Sequence, residues 1–61
     1  MRLVFPISNN SRRWIKSIDS TYFPYDEHKG QFILGVEHDA HEDDIEDVVN
    51  SAIRKFGARV V

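Results

Sequence analysis

Apolar positions along the chain follow two different periods, and the change of period marks its elements. In the C-terminal third, Ile45, Val48, Val49, Ala52, Ile53 and Phe56 fall at i, i+3, i+4, i+7, i+8 and i+11, which draws one apolar stripe on a helix. Asp39 with Glu42 three residues later has the spacing of a capping box. Acids crowd the first turns, Arg54 and Lys55 occupy the last, and Gly57 stands where a left-handed cap belongs. These signals together predict a helix over roughly residues 40 to 56, with Ile53 and Val49 in the core and Ala58 to Val61 as a short final strand.

Elsewhere the period shortens to two. Gln31 to Val36 places Phe32, Leu34 and Val36 on one face and Ile33 on the other, as expected of an interior strand with both faces partly covered. Before it, Tyr22, Phe23 and Tyr25 lead into the polar run Asp26 to Gly30, a hairpin pattern in which Pro24 restricts the first strand to an edge or to few ladder bonds. Leu3, Phe5 and Ile7 alternate at the N-terminus and predict another strand. Residues 10 to 18 fit two templates: a short helix capped by Asn10 or Ser11, or a strand with Trp14, Lys16 and Ile18 on one face. The helical template makes the chain one small α+β domain spanning residues 1–61, a compressed ferredoxin-like βαββαβ order with the C-terminal amphipathic helix on an antiparallel sheet. The strand template makes it a βββαβ meander.

Sixty-one residues suffice for one domain, and a chain of this size buries only about 60% of the surface its unfolded form exposes. Apolar residues form 41% and charged residues 30%, so the chain is expected to fold. Its core is thin, and self-association into a two-fold dimer is expected through an exposed strand at residues 2 to 7 or 58 to 61. The absence of cysteine removes disulfides and thiolate metal sites and points to a reducing, cytoplasmic setting. The apolar run from Leu3 to Ile7 is too short for a membrane span or a signal sequence, so no membrane partner is expected.

The net charge of −2 conceals an asymmetry. Residues 1 to 18 carry Arg2, Arg12, Arg13 and Lys16 and no acid, whereas residues 37 to 47 carry seven acids and no lysine or arginine. A chain divided in this way offers faces of opposite sign to different partners, or to itself.

Candidate chemistry is sparse. His38 and His41 stand three residues apart among Glu37, Asp39, Glu42, Asp43 and Asp44, a donor set suited to zinc or another divalent ion. The same carboxylates are equally accounted for as dipole partners at a helix N-terminus, so no metal is expected. Ser8, Ser11, Ser17, Ser20, Thr21 and Ser51 lie in no nucleophile motif, and Gly30, Gly35 and Gly57 are too isolated to cradle a phosphate. Neither a catalytic site nor a cofactor is expected.

Nucleic acid enters as the alternative. Lys29-Gly30 opening the third strand resembles the start of the RNP1 segment of RNA-recognition motifs, but Gln31 and Ile33 stand where that segment has aromatics. A patch of Arg12, Arg13, Trp14, Lys16, Tyr22, Tyr25 and Lys29 would suit stacking and phosphate contact with RNA or single-stranded DNA. The leading expectation is a non-enzymatic inhibitor or adaptor that binds a larger protein through Glu42, Asp43, Glu46 and Asp47, by analogy with accessory proteins of viruses and other mobile elements.

Overall fold

The computed structural model describes all residues 1–61 and has the element order β1 (Arg2–Pro6), α1 (Asn9–Ser17), β2 (Tyr25–His28), β3 (Gln31–Gly35), α2 (Glu42–Phe56) and β4 (Arg59–Val60). The protein is an α+β domain in βαββαβ order, and the helix at residues 9–17 excludes the βββαβ meander. The four strands form one antiparallel sheet in the order β2-β3-β1-β4, so each helical crossover skips one strand. Successive crossovers therefore run in opposite directions, and α1 and α2 lie antiparallel on one face of the sheet.

Register decides which side chains meet the helices. Leu3 pairs with Leu34 and Phe5 with Phe32 across β1 and β3, and because strand side chains alternate, all four point to the helical face, where they are fully buried. Val4 and Ile33 pair on the opposite face and are only half-buried. From above, the helices contribute Ile15, Val48 and Ala52, while Phe23 plugs the end of the core from the α1–β2 loop. Phe5 is the hub of an aromatic cluster, with its centroid 5.8 Å from Trp14, 5.7 Å from Phe32 and 5.5 Å from Phe56. Such pairs add about 0.5–1.5 kcal/mol each beyond the area they bury.

Several expectations are corrected. Ser8, not Asn10 or Ser11, caps α1: its hydroxyl accepts the Ser11 N–H at 3.1 Å while the Ser11 hydroxyl accepts the Ser8 N–H at 2.8 Å. Serine at the third helical position thus does the reciprocal work usually given to Glu or Gln. α2 begins at Glu42 rather than near residue 40, and the Asp39–Glu42 box is not formed; His41 is the cap, accepting the Asp43 N–H at Nδ1. Ala40 is buried instead, and its N–H is held by the Glu37 carbonyl. Ile53 is 43% exposed. The buried arc of α2 is centred on Val48 and Ala52, with Ile45, Val49 and Phe56 beside them, and Ile53 lies at its margin. Finally, β1 is an inner strand and offers no free edge; the edges are β2 and β4.

Two glycines act through their backbones. Gly57 takes a φ of 64° as the left-handed cap of α2, and the N–H groups of Gly57 and Ala58 bond the Ile53 and Ala52 carbonyls. The β2–β3 hairpin turns on Lys29 and Gly30, both with positive φ, 51° and 75°, as a two-residue loop of this hand requires. Lysine pays a steric cost there that asparagine largely escapes. Lys29→Asn is therefore expected to stabilise the domain by up to about 1 kcal/mol, read as a raised melting temperature; an unchanged or lowered one would show that the turn carries no strain.

Candidate functional site

The acidic face is built by the first half of α2. Glu42, Asp43 and Asp44 occupy its first turn, where carboxylates interact favourably with the helix dipole. Glu46 and Asp47 continue the face one turn further, beyond reach of most of that effect. All five are exposed. None pairs with a lysine or arginine: the only ion-pair contact on this helix is His41 Nδ1 with Asp43 at 3.8 Å. No basic residue sits four positions downstream to neutralise them along the helix. The structure thus brings Glu42, Asp43, Glu46 and Asp47 onto one rigid element whose opposite side is locked into the core.

Next to that face is a hollow of about 280 Å³ between the end of α1 and the start of α2, lined by Asp19, Tyr22, Phe23, Asp39, Ala40, His41 and Asp44. Tyr22 is 42% exposed. The sequence pointed to Tyr22 as a base-stacking residue and not to its position among carboxylates; that grouping arises because the α1–β2 loop folds against the α2 entry, tied by the Glu37 N–H to the Tyr22 carbonyl at 3.1 Å.

The residues of the nucleic-acid alternative do not form one patch. Arg12 donates to Glu27 at 2.9 Å and lies 5.6 Å over the Phe32 ring, so its charge is partly engaged within the molecule. Trp14 is half-buried against Phe5 and Phe56, and Tyr25 packs perpendicular to Phe32 at 5.6 Å between ring centroids. Lys29 lies at the hairpin tip that begins β3, whereas Tyr22 is bonded to the segment that follows β3, at the other end of the sheet. Arg13 and Lys16 remain exposed on α1 and form no ion pair. The positions of an RNA-recognition sheet fare no better, since Phe5 and Phe32 are buried beneath the helices and the open face presents Val4, Gln31 and Ile33.

A basic groove of about 520 Å³ opens at the opposite end of the helix layer, lined by Asn10, Arg13, Trp14, Ser17, Lys55 and Phe56. It was not foreseen, because Lys55 reads as a dipole partner at the end of α2 and only the antiparallel helix packing sets it beside Arg13. The hydroxyls of Ser8, Ser11 and Ser17 are committed to the α1 cap and to backbone carbonyls. No three His, Asp or Glu side chains converge as metal ligands. No helix is long and apolar enough to cross a membrane.

These features define a small α+β domain whose helix layer is acidic at one end and basic at the other. Comparison with protein-family models, with curated proteins and with solved structures found no match.

Proposed function

We propose that this domain is a non-enzymatic protein-interaction module, an inhibitor or adaptor acting in the cytoplasm, that binds a larger protein through Glu42, Asp43, Glu46 and Asp47. The observation that carries the reading is that these four carboxylates are exposed on a rigid helix and lack any lysine or arginine partner within the molecule. Unpaired charges of one sign, held in fixed positions, steer a complementary surface and select against the wrong one. The fitting partner is a basic protein surface.

Affinity capture of the tagged domain from its native cell, with the captured protein identified by mass, tests this. A protein partner with a basic surface, lost as salt is raised, is the expected outcome. The second reading, an RNA or single-stranded DNA binder, draws on the exposed and unpaired Arg13 and Lys16 of α1. Mixed oligonucleotides at low and moderate salt separate the two, because phosphate contacts lose affinity steeply with salt. Tight, salt-sensitive oligonucleotide binding that Arg13→Glu abolishes would replace the leading reading with the second.

A further inference from the structure

The two ends of the helix layer complement one another. We infer that this layer docks a second copy of the chain, antiparallel about a two-fold axis, so that the acidic end of each copy seats on the basic groove of the other. In the groove, Trp14 and Phe56 form an aromatic floor, Arg13 and Lys55 form the rim, and no carboxylate lines it. At the other end, Tyr22 lies half-exposed and stacks on no other ring, with Asp19, Asp39 and Asp44 around it and no lysine or arginine in the lining. Neither Arg13, Lys55, Asp19, Asp39 nor Asp44 has an ion-pair partner within its own chain. Each end has what the other lacks.

Symmetry makes the match more than compositional. A two-fold axis perpendicular to antiparallel helices exchanges the two ends of the layer, and an operation that is its own inverse makes the contact twice. Tyr22 and Asp44 of the second copy then face Trp14 and Lys55 of the first, and the reverse. Along α2, Asp47 and Arg54 are seven residues apart and so share a face, with Asn50 and Ser51 midway between them. An axis passing at Asn50–Ser51 sets Asp47 of each copy opposite Arg54 of the other, across polar side chains small enough for the helices to approach. A half-exposed aromatic seated in a groove with charges at the rim is the arrangement in which interface energy concentrates. The pairing requires no outside partner, so its test stands apart from that of the proposed function.

Sedimentation equilibrium over a range of concentrations, at low and at high salt, is the experiment. The parent chain is expected to dimerise at low salt and to dissociate as salt rises. Arg13→Glu with Lys55→Glu, and separately Asp19→Lys with Asp44→Lys, are each expected to be monomers of about 7.1 kDa, while an equal mixture of the two regains the dimer. Tyr22→Ala, in a loop outside both helices, is expected to weaken pairing at least about tenfold and serves should Asp44→Lys loosen the start of α2. A parent that stays monomeric at every concentration would overturn the inference. So would charge-reversed variants that dimerise like the parent, which would move the pairing to a sheet edge, or a mixture that fails to restore it.

Discussion

Phe32→Ala is expected to remove about half or more of the folding stability and to melt far below the parent. Phe32 sits on β3 with its ring fully buried; it packs on Phe5, meets Tyr25 in a T-shaped contact and lies beneath the Arg12 guanidinium. Truncating a buried phenylalanine costs about 3–5 kcal/mol, the lost transfer energy plus the cavity left behind. A domain of 61 residues has a total stability of only about 3–9 kcal/mol at ~0.05–0.15 kcal/mol per residue. A loss of that size is about half or more of the stability at the middle of this range, and all of it at the lower end. Ile53→Ala supplies the contrast: its side chain is already 43% exposed, and the change is expected to cost no more than about 1 kcal/mol. Thermal melts followed by circular dichroism separate the two variants. Equal melting temperatures for Phe32→Ala and the parent would mean that the aromatic cluster is not the core.

The second large effect is expected at Ser11. Its hydroxyl is fully buried, donates to the Pro6 carbonyl at 2.9 Å and accepts the Ser8 N–H at 2.8 Å. This one side chain ties the end of β1 to the start of α1. Ser11→Ala removes both bonds and leaves the polar groups of a crowded turn to find other partners, at about 1–3 kcal/mol for a buried unsatisfied group. Ser8→Ala removes the cap at an exposed position where water substitutes, and the cost there is typically about 1 kcal/mol. Ser11→Ala is thus expected to melt below Ser8→Ala in parallel scans. The reverse order would show that the cap, rather than the buried hydroxyl, secures the β1–α1 corner.

How far the sequence reveals this protein depends on whether a signal is local. The α2 stripe, its acidic start and its Gly57 cap are local, and the helix forms from Glu42 to Phe56. Alternation on β1 and β3 is local too, and correctly sends Phe5 and Phe32 inward. What failed was set by packing. Ile53 falls within the stripe by spacing alone, but the helix can bury only the arc that faces the sheet, and Val48 and Ala52 define that arc. The His41 cap displaces Asp39 because Ala40 is drawn into the core. Serine in place of Glu at the third position of α1 hid a capping box whose geometry is complete.

The candidate surfaces divide in the same way. Glu42, Asp43, Glu46 and Asp47 are legible because consecutive turns of one helix carry them. The basic groove joins residues of both helices, and the Tyr22 hollow joins two loops to the start of α2. Only the topology brings those together, and for the same reason the basic and aromatic residues spread between positions 12 and 29 are dispersed over two ends of the sheet.

The central claim, that the acidic face of α2 binds a protein partner, is tested most directly by Glu46→Lys with Asp47→Lys. Both residues are exposed and lie beyond the first helical turn, so their reversal leaves core and cap intact. The measurement is the affinity of this double variant for the captured partner, set beside its thermal melt. The account predicts a melt close to the parent's and an affinity lower by at least about tenfold, a change of ~1.4 kcal/mol or more. A folded variant that binds the partner as tightly as the parent would contradict it.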